Sequence, residues 1–327
     1  MMTVKASRRH DSTRQKPEPS TEHSRIMRLA LEPMRNKTMK IGIDSFCYHR
    51  QFGKAYPGQA PAESLIRLED FLGRARELGV DGVSLESCFM PSFDAGYLRE
   101  VKALLDENGM ERVYAWGHPN GLEGGRNREA LKEMIESLDH AALLGASVMR
   151  VVGSSRRYVK EPHEPQLRAL AGMFREAIPA AEEHGICMAV ENHIDFTSDE
   201  MLWLFTEVDS PYLGMNFDTG NFLRLLDDPV KGMEKLARFV RATHVKDLKP
   251  QRGAPADQWY FFSSTPVGDG LIDIPALVRL LYEAGYQGLL AIEIDYLHPD
   301  YPEGEDAAVE QSVAYLRRIV KEVTGKN

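Results

Sequence analysis

The chain has 327 residues, 43% of them hydrophobic and 27% charged, an ordinary globular composition with ample length for one large domain. Its net charge is −9, and because residues 1–40 hold ten Lys or Arg against four Asp or Glu, the remainder carries −15. So acidic a body repels phosphate backbones and anionic lipid, which argues against nucleic acid and against a membrane surface as partners. No apolar run approaches the ~18 to 20 residues of a membrane-spanning helix and no short apolar leader opens the chain, so a cytoplasmic location is expected. Cys47, Cys88 and Cys187 lie far apart, without metal or disulfide spacing, and read as reduced packing residues.

Residues 1–38 are basic, rich in Ser, Thr, Arg and Pro, and free of sustained periodicity, so a disordered extension is expected there, with Met39 a sensible start. From Lys40 onward short β-branched runs alternate with amphipathic stretches. The strand candidates are Ile41–Phe46, Gly82–Glu86, Arg112–Trp116, Val148–Val152, Ile186–Glu191, Leu213–Asp218, Ala242–Lys246 and Gly288–Ile294. Helices are expected between them, for example over Ala62–Leu78, Arg128–Leu144, Gln166–His184, Ile274–Ala284 and Asp306–Val323. Gly79, Gly109, Gly145, Gly185 and Gly285 stand where a helix must close in left-handed geometry before the next strand. Eight such units predict a single (β/α)8 TIM barrel, an α/β fold, over residues 39–327. An open doubly wound sheet is the competitor, but the text after the first strand, Asp44-Ser45-Phe46-Cys47-Tyr48-His49, has no phosphate-cradling glycines. The glycine-rich segment Gly117–Gly125 follows the third strand and reads as an active-site loop.

Chemistry in such a barrel collects where the strands end. Four successive strands end on metal-capable side chains: Glu191 in Val190-Glu191-Asn192-His193, Asp218 in Phe217-Asp218-Thr219, His244 in Thr243-His244-Val245-Lys246, and Glu293 in Ile292-Glu293-Ile294. Singly, each acid reads as a salt-bridge partner and His244 as a hydrogen-bonded core histidine. As a set, three carboxylates crowded in one dry mouth repel by several kcal/mol unless a cation neutralises them. Three oxygens and one imidazole suit one divalent ion, Mn²⁺ first, with Mg²⁺, Co²⁺ or Zn²⁺ also compatible, and leave positions open for substrate oxygens.

At these residues the chain resembles the xylose isomerase-like sugar phosphate isomerase/epimerase family. The likeness runs from about Lys40 to Val323 and is carried by Val190-Glu191-Asn192, Phe217-Asp218-Thr219-Gly220-Asn221, Thr243-His244-Val245-Lys246-Asp247 and the Val267–Asp273 stretch leading to Ile292-Glu293. The resemblance implies that Glu191, Asp218, His244 and Glu293 hold the family's single metal and that Glu191 and Glu293 are its acid/base pair. It implies a sugar or keto-sugar substrate and an isomerase or epimerase reaction, with a homo-oligomer or a heteromeric partner subunit compatible with both.

Three departures bear on the substrate clamp: Asn221, Thr197 and Pro250 stand where epimerases of the family usually carry His, Glu and Arg. Arg252 is near enough in sequence to replace the arginine. His193 and His118 fall on the expected catalytic face and are candidates for a proton donor, with His49 behind them, which makes a lyase or dehydratase the alternative. Trp116, Asn221, Lys246 and Arg252 are the candidate substrate-binding residues, and the Trp259–Phe262 run is a further stacking surface or loop anchor. A C-glycoside deglycosidase-type subunit is a second alternative. An endonuclease IV-like repair enzyme ranks below it, since a three-metal cluster would need a histidine at Asn221 and an Asp-x-His pair that Lys246–Val267 lacks.

Overall fold

The computed structural model describes residues 39–325; the extension expected over residues 1–38 lies outside them. Strands β1 (Lys40–Asp44), β2 (Gly82–Glu86), β3 (Glu111–Ala115), β4 (Val148–Val152), β5 (Cys187–Glu191), β6 (Leu213–Asp218) and β7 (Val240–Val245) run parallel. The chain then makes an antiparallel hairpin, β8 (Asp247–Pro250) with β9 (Phe262–Thr265), before returning as β10 (Leu289–Ile292). The eight parallel strands close into a barrel in the order β1-β10-β7-β6-β5-β4-β3-β2. Helices Leu68–Glu77, Ala95–Glu107, Arg128–Leu143, His163–His184, Ser198–Val208, Pro229–Leu236, Ile274–Glu283 and Glu305–Thr324 alternate with them. This is the expected (β/α)8 barrel.

Local chemistry sets the helix limits. Asn127 accepts from the Ala130 N–H at 2.9 Å, Thr197 and Glu200 form a reciprocal capping box, and Asp228 and Asp273 precede prolines in the first turn. The five closing glycines all take left-handed backbone, with φ between 62° and 81°.

Along each strand the two-residue period separates the faces. Met188, Val190, Met215, Phe217, Leu290 and Ile292 point outward into the main apolar core beneath the helices. Val113, Ala189, Ala242, Leu289 and Ala291 form a separate small cluster within the barrel. Small residues in the lower barrel leave room above them, at the carboxyl ends, for the polar groups described below.

Three expectations shift. The first helix begins at Leu68 rather than Ala62, because Ile66 N–H bonds to the Gln51 carbonyl (3.1 Å) and Asp70 caps the Arg67 N–H (2.9 Å). The seventh strand ends at Val245, one residue early: the Thr219 hydroxyl accepts from the Lys246 N–H (2.8 Å) and donates to the Lys246 carbonyl (2.6 Å), drawing that peptide out of the ladder. Cys88, expected as a packing residue, is exposed.

Directly after Lys246, the Asp247 carboxylate accepts four backbone N–H groups, from Leu248 (2.9 Å), Gly268 (2.9 Å), Gly270 (2.9 Å) and Ile272 (3.1 Å). It thereby pins residues 267–272 to the start of the hairpin; any Cβ on Gly270 would lie 2.1 Å from Asp247 Oδ1. Asp247→Ala is therefore expected to lower the unfolding free energy by about 2–4 kcal/mol, since it strands several donors at once. Urea unfolding measures this, and an unchanged midpoint would show that the loop is held by something else.

Candidate metal centre

Each inward-facing small residue is followed, two positions on, by a polar one. Ala189 leads to Glu191, Asn216 to Asp218, Ala242 to His244 and Ala291 to Glu293. Strands β10, β7, β6 and β5 are neighbours in that order, with Asp218 opposite His244 and His244 opposite Ala291, so the four side chains converge. All four are buried, and one ligand atom from each lies within 4.8 Å of the others.

Neighbouring groups turn these atoms inward. Asp218 Oδ1 accepts the Gly220 and Asn221 N–H groups at 2.8 and 2.9 Å, while the Asn192 amide clamps the Asp218 backbone through two bonds of 2.9 Å. Glu191 Oε2 is bound by the Arg150 Nε donor, and Asn221 Nδ2 reaches Glu191 Oε1 at 3.3 Å. His244 Nε2 faces Asp44 Oδ2 at 3.4 Å, leaving Nδ1 2.6 Å from Glu293 Oε2 and 3.4 Å from Glu191 Oε1. A carboxylate behind the imidazole is the usual device for orienting a metal-binding histidine. Asp218 Oδ2, His244 Nδ1 and Glu293 Oε2 are buried without a hydrogen bond of acceptable geometry. Those two oxygens and one nitrogen, with a Glu191 carboxylate oxygen beside them, make a donor set that fits a divalent ion.

The charges lead to the same conclusion. Inside the barrel, Asp44, Glu86, Glu191, Asp218, Glu293 and Asp295 are six buried carboxyl groups against three permanent cations, Arg150, Arg224 and Lys246. Lys246 Nζ lies 2.9 Å from both Asp218 and Asp295 and 3.3 Å from Glu293, and Arg224 pairs with Asp295 at 2.6 Å. Burial pushes the Glu191 carboxyl up, but Arg150 and His244 outweigh it and hold the group well below the usual range. Burial likewise opposes Lys246 and His244 at Glu293, which falls to about 2. At Asp218 burial wins: Lys246 pulls down, Glu293 and Glu191 repel, and the pKa rises to about 6. Glu86 rises to about 7, burial again exceeding the pull of Arg150.

The sequence model of one family, described as xylose isomerase-like TIM barrel, matches residues 72–319. The chain belongs to that family. Among its curated relatives, inosose dehydratase of Clostridium beijerinckii is 24% identical over 250 residues, which cover 69% of this chain and 80% of the relative. A xylose isomerase domain protein from Planctomyces limnophilus superposes with a TM-score of 0.69 at 20% identity, covering 89% of this chain and all (100%) of the other. A D-tagatose 3-epimerase-like protein superposes with a TM-score of 0.66 at 19% identity, covering 88% and 99%.

The carboxyl ends of the strands open into a cavity of about 690 Å³. His193, Asn221, Lys246 and Glu293 line it, as do Pro119 and Asn120 from the glycine-rich loop. Trp116 and His118 do not; they stack on each other at 5.1 Å in a separate side groove with Tyr114 and His140. Trp116 touches the site only through its carbonyl, which accepts from Arg150 Nη1 at 3.3 Å. Arg252 is exposed near the hairpin turn and is not among the cavity residues, whereas Arg150 and Arg224 are. Sequence reasoning passed over Arg150, Arg224, Asp44 and Glu86. Arg150 does carry a signal, a lone charge inside the apolar run Val148–Val152 and in phase with the inward face. Among the described residues no helix is long and apolar enough to cross a membrane.

Ion binding requires Asp218 ionised, so its raised pKa sets a proton in competition with the metal below about pH 6. In the ion-free protein the same shift adds stability at low pH, and that contribution is lost as pH rises through about 6. Mn²⁺ affinity measured by titration calorimetry is expected to fall by up to about tenfold per pH unit below that point and to collapse in His244→Ala. Constant affinity between about pH 5 and pH 7 would contradict the assignment of Asp218 as a ligand.

Proposed function

We propose that the protein is a divalent-metal-dependent isomerase or epimerase acting on a sugar with a hydroxyl-bearing carbon next to its carbonyl. The observation that supports this reading is the placement of Glu191 and Glu293 at the two ends of the β5-β6-β7-β10 arc, from which they would approach one bound substrate from different sides. A divalent ion held by Glu191, Asp218, His244 and Glu293, Mn²⁺ by preference, would supply Lewis acidity toward a chelated carbonyl and its neighbouring hydroxyl.

The chain's own groups do the rest. Glu191 and Glu293 are both held ionised, so either can take the proton from the carbon beside the carbonyl. Returned to the adjacent carbon, while the hydroxyl proton passes from one substrate oxygen to the other, that proton isomerises the sugar and leaves the carboxylate as it began. Inversion instead needs a different proton, delivered to the opposite face by the partner carboxyl after it has been protonated from solvent, and the first carboxyl then returns its own proton to solvent. Lys246, lining the cavity beside Glu293, is placed to bind the oxygen that gains negative charge. Asn221 holds Glu191 and faces the same space.

Elimination of water is the second reading. It is supported by His193, which lines the cavity with a buried, unpartnered Nδ1, and by the inosose dehydratase among the relatives. Burial depresses the His193 imidazole to about 4, so at neutral pH it offers a hydrogen bond rather than a spare proton, which ranks elimination below isomerisation.

Incubating Mn²⁺-loaded protein in D₂O with ketoses, keto-glycosides and inososes tests both. Deuterium uptake at one carbon is expected, and Glu293→Gln is expected to slow it by about 10²–10⁴-fold. Metal content of the variant is measured in parallel, and exchange persisting at the original rate with metal bound would refute the acid/base assignment. An unsaturated product would favour elimination.

A further inference from the structure

The cavity is larger and less uniform than a single sugar ring requires. Its volume of about 690 Å³ lies within the roughly 300–1,000 Å³ that suits a drug-sized ligand, of which a hexose fills only part. One side, around Glu293, Lys246, Asn221, His193 and Arg150, is polar and contains the candidate metal ligand. Four aromatic rings also line the cavity: Phe46 and Tyr56 from the segment after β1, and Trp259 and Tyr260 from the hairpin tip.

The rings of this wall are fixed by their neighbours. Tyr56 meets Trp259 edge-on at 4.9 Å, and Tyr260 stacks on Tyr296 at 4.8 Å with an interplanar angle of 13°. The Arg224 guanidinium lies over the Trp259 ring, 4.9 Å from its centroid, and is itself fixed by Asp295 and by the Phe262 carbonyl. The hairpin takes no part in closing the barrel, yet it spans the β7–β10 connection and its tip reaches the cavity. Phe46, Tyr56, Trp259 and Tyr260 remain only partly covered while lining that space.

We infer that the substrate is a two-ring glycoside: the reacting sugar sits at the polar end, and a second ring with a flat apolar face stacks against Phe46, Tyr56, Trp259 and Tyr260. This rests on the sugar reading above. The second ring is either a planar aglycone or another sugar presenting its C–H face, since both have the chemistry that an aromatic wall attracts.

Calorimetric titration of the Mn²⁺-loaded full-length protein with methyl and phenyl glycosides of 3-keto-glucose and 3-keto-galactose, and with the matching keto-disaccharides, decides the matter. At least one two-ring ligand is expected to bind about tenfold more tightly than the methyl glycoside of the same sugar. Trp259→Ala should reduce that preference to within about twofold, Trp259→Phe should retain most of it, and Trp203→Ala, on the remote helix Ser198–Val208, should leave it intact. A phenyl preference alone identifies a planar aglycone; an equal disaccharide preference identifies a second sugar. Equal binding of methyl, phenyl and disaccharide ligands overturns the inference while leaving the sugar reading in place. Failure of every sugar, methyl glycosides included, removes both.

Discussion

Negative charge removed from water is the constraint around which this barrel is arranged. Six carboxyl groups converge near one axis, and at close range in a medium of low polarity their mutual repulsion amounts to several kcal/mol unless it is offset. Three cations are threaded among them, two serving more than one acid: Arg150 contacts Glu191 and Glu86, and Lys246 touches Asp218, Glu293 and Asp295, while Arg224 holds Asp295. The residual excess sits on Asp218, Glu293 and the face of His244, the place where a divalent ion fits. Under the proposed function, neutralisation and chemistry meet at Glu293, which needs the cation and would also move the proton.

The barrel and the convergence of four candidate ligands could be read from the chain because both depend on short-range periodicity. An alternation of two along each strand, together with the rule that parallel barrels expose their carboxyl ends, is enough to bring Glu191, Asp218, His244 and Glu293 to one mouth. What escaped was whatever depends on long-range pairing. Asp44 and Glu86 close their strands just as the ligands do, but only the closure of β1 onto β10 and β2 sets them among the same charges. Arg150 matters because its guanidinium reaches Glu191, two residues beyond its β4–β5 ladder partner Ala189, a fact that no spacing within strand β4 can reveal.

Loops were read least well, for the same reason. Trp116 and His118 lie beyond the carboxyl end of β3, as expected for a catalytic face, yet the backbone there turns them toward Tyr114 and His140 and away from the cavity. Arg252 was chosen by proximity in sequence to His244. The intervening hairpin carries it outward and brings Trp259 and Tyr260 inward, exchanging the expected cation for aromatic rings. A single hydroxyl, that of Thr219, marks where the ladder yields to this excursion.

The stitch at Lys246 has an evolutionary corollary. The peptide chain departs from the barrel one residue past His244 and two later is fastened again by Asp247, so everything from Leu248 to Pro266 behaves as a graft with both ends tied off. Because Phe262 and Ser264 in its stem hold Arg224 and Asp295, it is the turn before Trp259 that can be lengthened, shortened or rewritten with little strain passed back to the charged cluster. Descendants of this scaffold could then diversify in what they accept while keeping what they do to it.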